Sequence, residues 1–177
     1  RGMAENLPFA SGSVDLVYVV NALHHFKDRK GFIVEAGRVL REDGVLAVIG
    51  SDPHDPGYRW YVHDWFDGVL EFDLERFPAW DELRAWMDSA GFKDIYFSNL
   101  DVIKENHMGR QVFESPFLQK ESVSQLALLS EQEYQAGLKA MRDAVQQGEG
   151  NGEVINFPVV MPVQIVVGRN GFEKPQQ

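Results

Sequence analysis

Two adjacent histidines follow an apolar segment near the start of the chain, where an imidazole could act on a bound ligand. The segment "DLVYVV" is followed by an amide, a small residue and both histidines: Asn21, Ala22, His24 and His25. An imidazole with a pKa near neutrality can remove a proton from an attacking oxygen or nitrogen. Adjacent side chains point in different directions, so we expect at most one histidine to face a substrate. In the alternative, one packs or caps locally and the other is solvated.

A second group of candidate residues lies in the aromatic-rich segment at 58–78. Clefts that bind small molecules are lined by aromatic side chains with a few polar groups. Four aromatic residues are therefore candidate substrate contacts, and His63 among them is a third candidate base: Trp60, Tyr61, Trp65 and Phe66. In the alternative, the segment is an amphipathic helix that only covers the core. The interleaved acidic residues predict a solvated face, or else a preference for a cationic substrate: Asp64, Asp67, Glu71, Asp73 and Glu75.

The first elements of the pattern place the histidines at the end of a strand. The segment 14–20 is apolar except for Asp15, which predicts a strand buried on both faces. Asp28 can cap a helix at 29–40, and "VLAVIG" at 45–50 predicts a second buried strand. Strand, helix and strand with short joins indicate a parallel βαβ unit. Open α/β sheets bind ligands at the carboxyl ends of such strands, which is where the histidines lie.

The remaining pattern predicts further helices and two more strands. Helical spacing continues through the aromatic segment and through 80–90, and a strand is expected at 94–100. A short helix is expected in "SVSQLALL", and Ser130 with Glu133 forms a capping box for a helix to about 147. The glycines of "QQGEGNGE" at 146–153 predict a linker. The last strand is expected at 159–169, where Pro162 favours pairing that starts on an edge or just after it.

Composition narrows the classes of function. The chain has 177 residues, with 17 basic and 27 acidic side chains and a net charge of −10. That charge repels a phosphate backbone, so nucleic acid is not an expected partner. Cysteine is absent, which excludes disulfides and thiolate chemistry. No apolar run is long enough to span a membrane. A cytoplasmic location is expected. A metal site is not expected, because the histidines have no convergent third ligand.

The predicted strand at 14–20 has no partner upstream in the sequence. An apolar strand with an unpaired edge is prone to association, and natural domains protect such edges. We therefore expect this strand to have an open edge, or to be covered by a second copy of the chain. The same observation predicts that the chain is the C-terminal part of a larger domain.

Several separated motifs in one order resemble a known family. The segments "GMAENLPF", "VDLVYVV", "ALHH" and "EAGRVL" are similar to those of class I S-adenosylmethionine-dependent methyltransferases that act on small molecules. The resemblance implies an α/β fold with a Rossmann-like sheet and flanking helices, N-terminally incomplete. The strands would be the family's fourth to seventh, with the last one antiparallel. Residues 1–177 would form one partial domain: a core with the cofactor loop at 1–57, an aromatic cap at 58–78, and C-terminal helices and strands at 79–177.

The resemblance also implies a cofactor, S-adenosyl-L-methionine, and residues that bind it. Met3, Ala4 and Glu5 stand where the family has Asp-Ala-Glu at the adenine, and Met3 departs from that pattern. Asn21 and Ala22 match the positions that line the methionine portion. The family's glycine-rich turn and ribose-binding acid have no counterpart here, so the chain on its own is expected to bind the cofactor weakly and to be inactive.

The sequence leaves alternatives from different classes open. The main hypothesis is methyl transfer to a small-molecule nucleophile. The alternative is a non-enzymatic α/β module that forms a homodimer through its exposed strand. A nucleotide-dependent oxidoreductase is disfavoured, because the chain contains no glycine fingerprint for a dinucleotide.

Overall fold

The computed structural model describes residues 2–171 of the chain. The strands are β1 (Val14–Val20), β2 (Leu40–Gly50), β3 (Arg59–Trp60), β4 (Phe92–Met108) and β5 (Asn156–Asn170). The helices are α1 (Arg29–Val39), α2 (Tyr61–Trp65), α3 (Val69–Arg76), α4 (Trp80–Ser89), α5 (Ser124–Ala127) and α6 (Glu131–Asn151). Short 3-10 turns occur at Leu23–His25, Gly109–Glu114 and Pro116–Leu118. Within residues 2–171, no helix combines the length and apolarity needed to cross a membrane.

The sheet has the antiparallel last strand that the resemblance implies. β1 and β2 are parallel, and the pairing ends with Val20 opposite Ile49. β5 is antiparallel to β2, from Arg169 opposite Val45 to Gln164 opposite Gly50, and it also pairs with β4. The last strand is therefore inserted antiparallel, as predicted. Its pairing with β2 begins beyond Pro162, whereas the residues before that proline pair with β3.

The described residues divide into two compact units, the first of which comprises 2–52, 76–101 and 162–171. Its core is formed by α1 and α4 packed on the strands, and the buried members include Phe32, Ile33, Leu83, Met87 and Val166. α1 begins where expected, because the Asp28 side chain accepts a hydrogen bond from the Gly31 N–H at 2.7 Å. The predicted βαβ unit is confirmed.

One expectation for β1 is wrong. The sequence predicts a strand buried on both faces, but Leu16, Tyr18 and Val20 are 53%, 67% and 48% exposed. Val19, on the other face, is buried against the core that α1 supports. Side chains alternate between the faces of a strand, and Leu16, Tyr18 and Val20 are largely exposed on theirs. The predicted open edge is present, because β1 ends the strand order within residues 2–171.

The second unit comprises 53–75 and 102–161. Its core surrounds α6, whose N-terminus has the predicted capping box between Ser130 and Glu133. Leu138, Met141 and Val145 are buried on the inner face of α6, as their spacing predicts. The predicted linker at 146–153 is wrong, because α6 continues to Asn151 and ends at Gly152 with φ +75°.

Two further elements differ from the prediction in their extent. The aromatic segment is not one helix, because the chain between α2 and α3 turns at Gly68, where φ is +77°. A positive φ is a conformation that glycine adopts without steric cost. β4 starts and ends beyond the predicted 94–100, and most of its side chains are exposed. Exposed strand residues carry no hydrophobic alternation from which their extent could be predicted.

Candidate functional site

A pocket lies at the carboxyl ends of β1 and β2, within the first unit. Residues 21–24 and 48–51 form one part of its lining, and Phe77, Pro78 and Trp80 form the other. Ligands of open α/β sheets bind at this end of the strands. The pocket therefore coincides with the loop in which the sequence places Asn21, Ala22 and the histidines.

Asn21 gives the pocket its shape because its backbone is left-handed, with φ +47°. Its N–H donates a hydrogen bond to the Ile49 carbonyl at 2.9 Å, which extends the parallel pairing by one residue before the chain turns. Asparagine tolerates this conformation better than most side chains. A Cβ atom added to Gly50 would lie 3.3 Å from Asn21 Oδ1, so the two strand ends approach closely.

The two histidines have different surroundings. Both lie in the 3-10 turn Leu23–His25, which the buried side chain of Leu23 anchors in the core. His24 lines the pocket, and its ring stacks on Phe77 with the centroids 3.9 Å apart. His25 is exposed and is not part of the pocket lining. Partial burial, and then the charge of Arg76, lower the pKa of His25.

A chain of hydrogen bonds holds the wall of the pocket that Trp80 forms. The Trp80 backbone N–H donates to Asp52 Oδ2 at 3.0 Å, and its indole N–H donates to Gln164 Oε1. Gln164 in turn donates to Asn99 Oδ1 at 3.1 Å. Asp52 and Gln164 are buried. These residues were not predicted from the sequence, although a glutamine within the apolar strand "VQIVV" is a signal that its amide has a buried partner.

The loop with the expected adenine contacts belongs to the same unit. Met3 is 55% exposed, Ala4 packs against the core of the unit, and Glu5 is half-buried. The Asn6 N–H donates to the Met3 carbonyl at 3.1 Å and closes a tight turn over the three residues. An exposed thioether beside a packed alanine leaves both the Met3 side chain and the turn accessible to a flat ring.

The candidate substrate residues lie in the second unit, where they are largely buried. Trp60, Tyr61 and Phe66 are 4%, 0% and 2% exposed, and all pack in the core of that unit, with Trp65 partly buried against it. Burial raises the pKa of Tyr61, whose hydroxyl lies 3.4 Å from Ser115 Oγ. All four aromatic rings therefore contribute to the packing of this unit, and their contact with a substrate stays a prediction.

Trp60 differs from the other three in the surroundings of its indole N–H. Among residues 2–171, no group accepts a hydrogen bond from the buried indole N–H of Trp60. A buried donor without a partner costs about 1–3 kcal/mol. The indole N–H is therefore an unsatisfied donor in the core of the second unit.

His63 forms a buried pair with a carboxylate. Its Nε2 lies 2.9 Å from Asp73 Oδ2, and the Gln125 amide donates to the same oxygen at 3.2 Å. The Asp73 side chain is 0% exposed, so the expectation of a solvated acidic face is wrong at this position. The other four acidic residues of the segment are exposed, as expected. Burial, and then the charge of Asp73, raise the pKa of Tyr58, which stacks on His63.

Metal chemistry has no obvious site in the part of the chain that the structure describes. Within residues 2–171, no group of three or more histidine or acidic side chains is arranged to hold an ion.

Comparison with known proteins relates this site to a family. The family described as a methyltransferase domain matches residues 1–48, the span that contains the loop at 3–5 and the strand end at Asn21. An O-methyltransferase of Aspergillus nomiae is 30% identical over 101 residues, which cover 55% of this chain and 42% of that protein. The ubiquinone/menaquinone biosynthesis C-methyltransferase UbiE of Haemophilus ducreyi is 28% identical over 117 residues, which cover 56% and 45%. Residues 1–48 therefore match the methyltransferase domain family, and the chain is similar to methyltransferases over about half of its length.

A solved structure supports the fold. A protein from an antibiotic biosynthesis pathway of Anabaena variabilis superposes with a TM-score of 0.62 at 20% identity, over 94% of this chain and 71% of that one. The chain spans less than half the length of the two curated relatives, at 42% and 45%. The chain therefore shares the fold of the Anabaena variabilis protein.

Proposed function

We propose that the protein transfers a methyl group from S-adenosyl-L-methionine to a small-molecule nucleophile. The observation that carries this proposal is the pocket at the ends of β1 and β2, with Asn21 in a left-handed turn at its entrance. In this proposal Asn21 and Ala22 hold the methionine portion of the cofactor. The close approach of Gly50 to Asn21 fits this role, because it leaves backbone rather than side chain facing the ligand.

The loop at 3–5 would hold the adenine. The Ala4 backbone would contact the ring edge, and the exposed Met3 thioether would pack on the ring face through its polarizable sulfur. Glu5 is half-buried beside them. Met3 replaces the family's aspartate, so in this protein the contact at that position would be apolar rather than a hydrogen bond from the adenine amino group.

The chain's own residues would orient the acceptor and remove its proton. S-adenosylmethionine, when bound, supplies a methyl group that is already activated by a positively charged sulfur. An imidazole nitrogen of His24 would accept the proton of an attacking O–H or N–H, since His24 lines the pocket and His25 does not. His63 has a buried carboxylate partner instead, which favours a structural role for it.

The acceptor is proposed only as a small molecule. The two curated relatives are named for O-methylation and for C-methylation, so the attacking atom is left open. That Trp60, Tyr61, Trp65 and Phe66 contact the substrate stays a prediction, since all four pack in or against the core of the second unit. Two expectations stay predictions: that the protein has no nucleic-acid partner, and that it is cytoplasmic.

A methyl-transfer assay on the complete natural protein tests the proposal. The protein is incubated with methyl-labelled S-adenosylmethionine and a panel of phenols, hydroquinones and amines. We expect a labelled product, and we expect His24→Gln to lower kcat by roughly 10²-fold, as for loss of a general base. His54→Gln, an exposed histidine outside the pocket, should leave kcat unchanged. No product with any acceptor would contradict the function; an unchanged His24→Gln variant would contradict the role of His24.

A second candidate function is self-association through β1. It is favoured by the exposed side chains of Leu16, Tyr18 and Val20 on the outermost strand within residues 2–171. In this proposal the chain forms a homodimer in which two copies of β1 cover one another, and it has no catalytic role of its own.

A further inference from the structure

Two side chains of α1 hold the segment that follows the adenine loop. The Leu7 N–H donates to Glu35 Oε1 at 2.7 Å. Arg38 Nη2 donates to the Leu7 carbonyl at 3.2 Å and to the Phe9 carbonyl at 2.9 Å, and Nη1 donates to Ser11 Oγ at 3.1 Å. Two residues of one helix therefore satisfy backbone groups along most of this irregular segment.

Glu35 and Arg38 also fix each other. Arg38 Nε donates to Glu35 Oε2 and Nη2 donates to Glu35 Oε1, both at 2.7 Å. Such forked pairs between a guanidinium and a carboxylate have a defined geometry and are stronger than neutral hydrogen bonds. The Glu35 side chain is only 12% exposed, so water competes little for its oxygens. The pair, with Arg38 at the surface and Glu35 largely covered, forms an anchor on α1 for the segment at 7–11.

The anchor lies next to the residues that are proposed to contact the adenine. The turn that Met3 and Asn6 close ends one residue before Leu7, where the anchored segment begins. The backbone of Gly12 is also attached to α1, since its N–H donates to the Arg38 carbonyl at 2.9 Å. The loop at 3–5 is thus carried by a segment whose position depends on Glu35 and Arg38.

We infer that Glu35 and Arg38 are positioning residues for the adenine end of the cofactor site. They contact the segment at 7–11 and act on the ligand through the loop at 3–5. This inference rests on the proposed function, because it assumes that the loop contacts adenine. It explains why an acid and an arginine are spaced three residues apart on α1.

Two ligands that differ at one end distinguish the positioning of the loop at 3–5 from a general effect on the stability of the protein. S-adenosylhomocysteine carries adenine and an amino-acid tail, whereas 5′-methylthioadenosine carries the adenine and lacks the tail. Both are titrated calorimetrically into the complete natural protein and its Arg38→Gln variant. We expect Arg38→Gln to weaken both ligands by the same factor, roughly tenfold for the loss of charge-assisted hydrogen bonds. Arg38→Lys should recover part of the affinity, because lysine keeps the charge but not the fork.

Matched variants make the result specific. Arg41→Gln removes a nearby arginine whose partner Asp15 lies 2.6 Å away in an exposed pair, and it should bind both ligands like the wild type. Asn21→Ala acts at the other end of the site and should weaken S-adenosylhomocysteine alone. If Arg38→Gln does not fold, Glu35→Gln, which keeps an acceptor for Leu7 but not the charge, takes its place.

Each outcome decides the matter. Equal weakening of both ligands by Arg38→Gln, with Arg41→Gln unchanged, supports the inference. If Arg38→Gln, or Glu35→Gln in its place, binds 5′-methylthioadenosine with wild-type affinity, the inference is overturned and the proposed function is not. A wild-type protein that binds neither ligand overturns the proposed function, and the inference with it.

Discussion

At the scale of single residues, Glu35 couples the anchor on α1 to pH. The hydrogen bond from Arg38 is the largest cause that lowers the pKa of Glu35 below its usual 4.5, and the Leu7 N–H adds to it. A carboxyl whose pKa is lower in the folded chain stabilises the fold where it is ionised. This stabilisation is complete above about pH 4.5 and disappears as the pH falls through the lowered pKa.

The prediction concerns the free energy of unfolding of Glu35→Gln. We expect the variant to be less stable than the wild type at pH 7, and the difference to shrink as the pH falls below 4.5. Denaturant unfolding at a series of pH values measures it. Glu42→Gln, at an exposed position of β2, serves as the control and should show little difference at any pH. A Glu35→Gln deficit that is constant from pH 7 to pH 3 would contradict the account.

Some of the residue-scale features could be predicted, and the others depend on tertiary packing. Adjacency predicted that at most one of the two histidines would face a substrate, which stays a prediction, and in the structure only His24 lines the pocket. Which histidine it would be depends on the 3-10 turn and on the position of Phe77, which a sequence does not contain. Asp73 was expected in solvent because its neighbours are, but His63 and Gln125 supply it with buried partners.

At the scale of elements, α6 packs closely enough on the aromatic segment to require a glycine. A Cβ atom added to Gly137 would overlap the Phe66 ring, with Cε1 at 2.6 Å. A Cβ atom added to Gly150, on the same helix, would have nothing within 4 Å. The same substitution should therefore have opposite effects at the two positions.

Gly137→Ala should lower the free energy of unfolding, because overpacking a core costs about 1–3 kcal/mol. Gly150→Ala should raise it by about 0.5–1 kcal/mol, since alanine loses less backbone entropy in a helix. Thermal unfolding of the two variants beside the wild type measures both effects, and each variant is the other's control. Two variants that shift in the same direction would contradict the packing described for α6.

The elements that could be predicted have a periodic apolar face or a local cap. α1 and α6 have both, and their starts at Asp28 and Ser130 match the structure. The glycines at 146–153 indicated a linker, yet the helix continues because Gly148 is buried and leaves only 3.1 Å between an added Cβ and Ile155. Tertiary contact overrides helix propensity at such positions. β4 extends over residues without an apolar pattern, so its length could not be predicted.

At the scale of the whole molecule, the apolar face of β1 makes the chain prone to self-association. Leu16, Tyr18 and Val20 project from one side of a strand that ends the strand order within residues 2–171. Exposed apolar patches on a strand edge promote pairing with other chains. We expect the 177-residue chain on its own to associate as its concentration rises, and Tyr18→Lys to reduce that association.

Sedimentation velocity over a range of concentrations measures the effect. Leu128→Lys replaces a side chain that is 60% exposed elsewhere, and it should associate like the wild type. A sedimentation coefficient that does not depend on concentration, or that the two lysine variants change equally, would show that β1 is not the associating surface.

In the proposed function, the pocket at the ends of β1 and β2 holds the methionine end of S-adenosylmethionine. The most direct test of this placement is a calorimetric titration of S-adenosylhomocysteine into the complete natural protein, its Ala22→Leu variant, and Ala85→Leu at an exposed position of α4. We expect S-adenosylhomocysteine to bind the wild type saturably at one site. Ala22→Leu should weaken it roughly tenfold or more, because the overlap costs about 1–3 kcal/mol, and Ala85→Leu should leave it unchanged. Absence of saturable binding, or wild-type affinity in Ala22→Leu, would contradict the account.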